Sequence, residues 1–372
     1  MDLSVVIPCL NEQDTIGICV TKALNQIKKN NINGEIIVAD NGSTDNSIQI
    51  ALDKGARVIK ASKKGYGHAI QTGIKEAKGK YILMADADNS YDFNKVNEFY
   101  KKINEGYGLV NGCRLPAGGG SIEKKAMPLS HRYIGNPFFT WMAKSIYNVK
   151  INDIYCGMKI FKKDAFNKLS FYFSGMVFNV ELLIKFHLSS EKITEIPIVL
   201  HKDGRVNSKK HLKTIADGIS TLKFFLIFCP KILYFIPSVL IAFLGSLNLF
   251  LYNQGLINIS INYSLVLFFS SLIVAIQLFM LGLYTHLISK SMKLTKASIF
   301  IENFFKIFTL KRAVILSSLI FVLVILMNIN KNIFSDFDNE IIKTSSIFLI
   351  ILSINIFFNS MFISLISLKE KI

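Results

Sequence analysis

Two aspartates one residue apart, Asp86 and Asp88, follow directly on an apolar run that ends at Ala85. In an extended segment leaving a strand, residues two apart point to the same side, so both carboxylates can face one bound cation. Hard carboxylate oxygens suit Mg2+ or Mn2+, whose coordination is commonly completed by substrate phosphates and water. The chemistry on offer is Lewis-acid neutralisation of a leaving diphosphate. Spacing alone does not establish it, because Asp336-Phe337-Asp338 repeats the pattern in a short joint with no strand end beside it. Context must separate the two copies.

That context comes from the elements that position the pair. Residues 3–8, 35–40, 57–61, 81–85 and 109–112 read as strands, and 15–29, 45–54, 67–78 and 93–105 as helices between them. The alternation predicts an α/β head of repeated βαβ units around a mainly parallel sheet. Ligands of such sheets bind beyond the carboxyl ends of the strands. Polar residues collect there: Pro8, Asn11 and Glu12 after the first strand, Asp40-Asn41-Gly42-Ser43-Thr44-Asp45 after the second, and Asp86-Ala87-Asp88-Asn89-Ser90 after the fourth. Asp40 is expected to accept hydrogen bonds from a nucleotide base, with Ser43 and Asp45 serving the turn and the helix start. Neither a Gly-x-Gly-x-x-Gly after the first strand nor a Walker loop is present, so no dinucleotide cofactor is indicated. Gly65-Tyr66-Gly67-His68 reads equally as a backbone approach to a nucleotide and as a plain helix-entry turn.

Beyond Lys231 the chain changes character. Long apolar runs at about 232–252, 261–289, 313–329 and 345–368 predict a helical membrane region of about four spans (232–372), joined to the head (1–213) by an amphipathic juxtamembrane segment (214–231). Lys290, Lys293, Lys296, Lys306, Lys311 and Arg312 fill the joint between the second and third spans, whereas the joint between the first and second has no Lys or Arg. The positive-inside rule then puts the head, that basic joint and both termini in the cytoplasm. Residues 298–306 and 214–228 read either as interfacial amphipathic helices or as segments packed on the head. Gln277, His286, Asn355 and Asn359 within the spans read as helix–helix hydrogen bonding, which would also permit a homo-oligomer.

The formal net charge of +17 does not indicate nucleic acid, because Lys202, Arg205, Lys209, Lys210, Lys213, Lys223 and Lys231 cluster just before the first span, where a basic segment meets anionic headgroups. The five cysteines are odd in number and never in Cys-x-x-Cys spacing, which argues against disulfides and zinc. The N-terminal Met1-Asp2-Leu3-Ser4-Val5-Val6-Ile7-Pro8 reads as a first strand rather than a signal peptide.

With these residues in view, 3–215 resembles the inverting family-2 glycosyltransferases of GT-A (Rossmann-like) fold, and among them the dolichol-phosphate-mannose-synthase-like, or polyprenyl-phosphate, enzymes. Asp40-Asn41-Gly42-Ser43-Thr44-Asp45 is similar to their base-binding loop, with Asn41 in place of the usual second aspartate. Asp86-Ala87-Asp88 is similar to their metal motif, with Ser90 where some relatives have a glutamine ligand. The resemblance implies that Arg114 in Asn111-Gly112-Cys113-Arg114 and Arg132 in Leu129-Ser130-His131-Arg132-Tyr133 grip phosphates, a task suited to arginine's planar fork. It also implies that Asp153 lies near the acceptor and that Arg205, Lys209 and Lys210 close over phosphate beside the membrane; because a phosphate monoester already has a second pKa near neutrality, Asp153 reads either as orienting the acceptor or as its base, with orientation favoured.

The expected reaction is an in-line displacement in which the phosphate of an undecaprenyl or dolichyl lipid attacks a nucleotide-sugar (UDP- or GDP-linked) and a metal-bound nucleoside diphosphate leaves. Two rivals stand beside it. A processive polysaccharide synthase usually carries Gln-x-x-Arg-Trp, which is absent here, and a nucleotide-binding transporter or scaffold would be expected to place charge inside its spans.

Overall fold

The computed structural model describes residues 1–206, 214–329 and 339–369. Lys209 and Lys210 lie outside the described residues, as does Asp336-Phe337-Asp338. The chain separates into two compact units, Met1–Phe225 and Leu226–Ile372.

The first unit is built on strands β1 (Leu3–Cys9), β2 (Gly34–Asp40), β3 (Arg57–Lys60), β4 (Tyr81–Met84), β5 (Leu109–Cys113), β6 (Ser121–Ile122), β7 (Lys159–Lys162), β8 (Ile193–Pro197) and β9 (Val199–Leu200). Its helices are α1 (Ile16–Lys29), α2 (Ser47–Asp53), α3 (Tyr66–Glu76), α4 (Val96–Asn104), α5 (Asn136–Tyr147), α6 (Lys163–Asn167), α7 (Val177–Leu188) and α8 (Thr214–Ile227), the last crossing the division between the units. Seven strands form one sheet in the order β3-β2-β1-β4-β7-β5-β8, and β6 pairs with β9 beside it. All pairs in the large sheet are parallel except those of β7, which runs antiparallel between β4 and β5.

Alternate residues of each central strand enter different cores, as a sheet covered on both faces requires. Val5 and Ile7 join Ile16, Val20 and Phe99 on the face of α1 and α4, whereas Val6 and Met84 join Ile70, Ile74, Phe178 and Leu182 on the face of α3 and α7. The second packing is close because α3 carries Gly73, where a Cβ would stand 2.5 Å from Val6 and 3.2 Å from Ala39. Within the first unit, Phe224 and Phe225 of α8 are buried, with rings 5.2 Å from Phe173 and 6.2 Å from Phe139.

In the second unit, α9 (Ile236–Asn253), α10 (Ile261–Ser291), α12 (Leu310–Ile329) and α13 (Asn339–Lys369) are long and apolar, with α11 (Ile299–Ile307) between α10 and α12. The stretches Lys231–Asn253, Ile261–Ser291, Leu310–Ile329 and Ile341–Leu365 meet the length and hydropathy of membrane spans. Small and polar side chains hold the helices together, as in lipid-embedded bundles. Gly245 abuts Ser271, Ser238 Oγ donates to the Ala275 carbonyl at 2.8 Å, and Tyr284 hydrogen-bonds Asn359.

Candidate active site

The carboxyl ends of β1, β2 and β4 lie together because the three strands are paired in register, Cys9 opposite Asp40 and Val6 opposite Met84. Beyond them the turns are locked to one another. Asn11, at φ 54, accepts from the Thr44 backbone N–H at 2.8 Å, while its own N–H donates to Ser43 Oγ at 3.0 Å. The Asp40 side chain is fully buried and accepts from the backbone N–H groups of Gly42 and Ser43 at 3.1 and 3.0 Å. Each Asp40 oxygen thus accepts one bond of the turn, Asp45 accepts from the Ser47 N–H at the start of α2 at 3.0 Å, and Ser43 and Asp45 also accept from the Asn11 and Gln13 N–H groups that follow β1. Pro8, expected at the donor, sits near the end of β1 opposite Ala39.

Asp86 and Asp88 each have one oxygen committed to the protein. Asp86 Oδ1 accepts from the Tyr66 hydroxyl at 2.8 Å, and Asp88 Oδ1 accepts from Ser90 N–H and Oγ at 3.0 and 2.6 Å. The second Asp86 oxygen faces Gly157, where a Cβ would come within 2.6 Å of it. The intervening loop is held from α1, with Cys19 Sγ donating to the Ala87 carbonyl at 3.4 Å and Lys22 donating to Asn89 at 2.9 Å. Residues 201–206 strap across from the other side: Gly204 N–H donates to the Asp88 carbonyl at 2.9 Å. Arg205 Nε donates to Glu12 at 2.8 Å, and its Nη1 lies 2.9 Å from Asp203 and 3.6 Å from Asp88.

Arg205, expected at an acceptor phosphate, and Glu12, expected at the donor, are thus paired with each other beside the ends of β1 and β4. Arg114 and Asp153, expected to touch two different substrates, are bound to each other. Arg114 Nε and Nη2 donate to Asp153 Oδ2 and Oδ1 at 2.7 and 2.8 Å, the Arg114 N–H adds a third bond at 3.0 Å, and both side chains are buried. Although burial opposes its ionisation, the adjacent Arg114 guanidinium holds the Asp153 carboxyl below the usual range, which makes it a poor base. Arg132 occupies the turn His131–Gly135 before α5, its guanidinium 5.3 Å from the centre of the Tyr133 ring. Leu129, Tyr133, Ile134, Phe138 and Trp141 are exposed around it. Burial first and the Arg114 charge second lower the pKa of His131, so this turn is within electrostatic reach of the Arg114–Asp153 pair.

The residues present fit a divalent cation. Burial, with the Asp88 charge adding to it, pushes the Asp86 carboxyl up to about 6. Among the described residues no group of three His, Cys, Asp or Glu side chains gathers at metal-binding distance, so Asp86 and Asp88 would supply two carboxylates and leave the remaining positions to phosphate and water.

Two tyrosines escaped the sequence reading. Tyr66, the first residue of α3, reaches Asp86, so the Gly65-Tyr66-Gly67 loop is a helix entry that serves the site through a side chain. Gly65 has φ 129, and its N–H donates to Asn41 Oδ1 at 2.9 Å. The Tyr91 hydroxyl accepts from Gly157 N–H at 2.8 Å and from Arg114 Nη1 at 3.3 Å, fastening the 153–158 turn over Asp86. The glycine pair around Tyr66 was the available signal for the first; nothing local marked the second.

The profile described as glycosyl transferase family 2 matches residues 4–170, the stretch that carries this edge. The dolichyl-phosphate beta-glucosyltransferase of Saccharomyces cerevisiae is 32% identical over 228 residues, covering 54% of this chain and 68% of that protein. The chain belongs to glycosyl transferase family 2. A further relative, the low-salt glycan biosynthesis hexosyltransferase Agl6 of Haloferax volcanii, is 33% identical over 255 residues, covering 68% of this chain and 60% of its own length. Among solved structures, glucosyl-3-phosphoglycerate synthase from Mycobacterium tuberculosis with Mn2+, UDP and glucosyl-3-phosphoglycerate covers 60% of this chain and 79% of its own, at TM-score 0.47 and 19% identity. The family-2 chain thus combines a mainly parallel GT-A head with four candidate membrane-spanning helices.

Proposed function

We propose that the protein transfers one sugar, with inversion, from a UDP- or GDP-linked donor to a polyisoprenyl phosphate at the cytoplasmic membrane face, using Mg2+ or Mn2+ at Asp86 and Asp88. The observation that carries this reading is the carboxylate pair itself, at the edge of a mainly parallel sheet with one oxygen of each aspartate committed to an orienting hydrogen bond. The names of the yeast relative and of the Haloferax volcanii dolichyl-phosphate hexose transferase, 28% identical over 197 residues, support the acceptor class.

A divalent ion bound there would supply Lewis-acid neutralisation of the departing diphosphate. The protein's own part is orientation. Tyr66 and Ser90 fix the two carboxylates, and Arg205 holds the strap 201–206 against them through Glu12 and Asp203. Locked to Arg114, Asp153 shapes the acceptor side rather than accepting a proton. The nucleophile needs no strong base, since a phosphate monoester has a second pKa near 6 and is ionised at neutral pH. Arg132, in its exposed apolar surroundings, is the residue placed to meet a lipid phosphate. In this assignment the head and both termini face the cytoplasm, with 1–213 as the transferase domain, 214–231 as its juxtamembrane link and 232–372 as the membrane domain.

The test is incubation of the purified chain with Mg2+ or Mn2+, polyprenyl phosphate and a panel of UDP- and GDP-sugars. A lipid carrying one sugar is expected. Polymer would favour a processive synthase, and nucleotide binding without turnover for every donor would sink the transferase reading.

A further inference from the structure

Beneath the carboxylate pair lies a layer of polar side chains on which none of the roles above draws. Lys159 opens β7, opposite Met84 on β4 and Asn111 on β5, so it occupies the centre of the sheet. It shares its strand face with Phe161, which belongs to the core under α3 and α7. Lys159, Asn111 and Asn179 of α7 are all fully buried. Among the described residues Lys159 Nζ, Asn111 Oδ1 and Asn179 Oδ1 have no hydrogen-bond partner. The layer is joined to the site above it, because Asn179 Nδ2 donates to the Tyr66 hydroxyl at 3.4 Å and that hydroxyl donates to Asp86. Asn111 also donates to the Asp153 carbonyl at 2.7 Å.

An unpaired ammonium in a sheet centre is costly to fold, and buried lysines are ordinarily paired. Burial, with the Arg114 charge adding to it and Cys156 and the Asp153 and Asp86 charges opposing it, pushes the Lys159 amine down to about 8, which leaves it largely charged at neutral pH. Local rules of this kind are broken where function requires it. A fixed positive charge held behind a reaction centre lowers the free energy of negative charge that develops there, without reorganising during the reaction.

We infer that Lys159 is a positioning residue, an ammonium kept without a partner at the expense of the fold so that its charge bears on Asp86 and Asp153 and on the negative charge gathered above them. The inference rests on the transferase reading. It implies that removing the charge costs function without costing stability, which a merely structural lysine would not give.

The test uses the full chain in detergent or nanodiscs, as wild type, Lys159→Met and Lys159→Arg. For Lys159→Met the expected results are a Tm equal to or above that of wild type, kcat about tenfold lower with donor KM within about twofold, and several-fold weaker binding of UDP with Mn2+, because the product-like diphosphate carries more charge than the donor. Lys159→Arg, which keeps the charge, is expected to recover most of kcat. A lower Tm for Lys159→Met, an unchanged kcat, or an arginine variant no better than the methionine variant would overturn the inference. The melting and UDP-binding measurements need no turnover. A wild type inactive with every donor would therefore sink the transferase reading, while Lys159 would still be judged on Tm and UDP affinity.

Discussion

At the scale of single residues the site is governed by which charges are paired and which are not. Asp153 and Arg114 form a buried two-pronged pair, and removing one partner of such a pair strands the other in a low-dielectric interior. Asp153→Asn should therefore destabilise the head by about 3–5 kcal/mol, read by chemical denaturation, so that lost activity would come with lost fold. Lys159 has the opposite signature. Its pKa falls from 10.5 unfolded to about 8 folded, so its destabilisation is fully present below about pH 8 and is relieved as pH rises from 8 towards 10.5. That depression corresponds to about 3 kcal/mol. The stability difference between Lys159→Met and wild type is thus expected to be largest at pH 7 and to close by pH 10.5, measured by denaturation at both values; a pH-independent difference would contradict the assignment.

At the scale of elements, strands that carry the site were legible where they are apolar on both faces. The strand read at 3–8 is β1 and that at 35–40 is β2, each buried along most of its length because helices cover the sheet on both sides. β7 was not legible. Lys159-Ile160-Phe161-Lys162 is bounded by two lysines and acquires its place only by pairing with segments distant in the chain, β4 and β5. The same holds for the partners of the site residues. Arg114 and Asp153 are 39 positions apart and Glu12 and Arg205 are 193 apart, distances over which no periodicity or spacing operates. Sequence context did distinguish Asp86-Ala87-Asp88 as a strand end. It could not reveal that Asp40 would also accept from the N–H groups of its own turn. The close contact of α3 with β1 gives a test at this scale: Gly73→Val would force a side chain into Val6 and Ala39, for an expected loss of about 1–3 kcal/mol by thermal unfolding. Because α3 begins at Tyr66, the hydrogen bond to Asp86 should weaken with it, lowering turnover.

At the scale of the whole molecule, the proposal needs an acceptor headgroup and a nucleotide donor on the same side of the bilayer. In this proposal residues 254–260 and the basic joint 290–312 flank α10 on opposite faces of the bilayer. All five cysteines are buried, so single added cysteines can be read against a low background. Lys296→Cys is expected to react with an impermeant maleimide only from the cytoplasmic face and Asn258→Cys only from the other. The reverse pattern would put the site out of reach of a cytoplasmic nucleotide-sugar pool.

The central claim is that Asp86 and Asp88 are a working pair and not a turn of charged residues. Asp88→Asn keeps the bulk of the side chain and an acceptor for the Ser90 bonds, so the fold should remain, with Tm within about 2 °C, the effect of about 1 kcal/mol or less on a domain of this size. The decisive measurement is the rate of sugar transfer from the preferred donor to polyprenyl phosphate in nanodiscs, wild type beside Asp88→Asn at saturating Mn2+. The account predicts a rate lower by about 100-fold or more in the folded variant; transfer at the wild-type rate would contradict it.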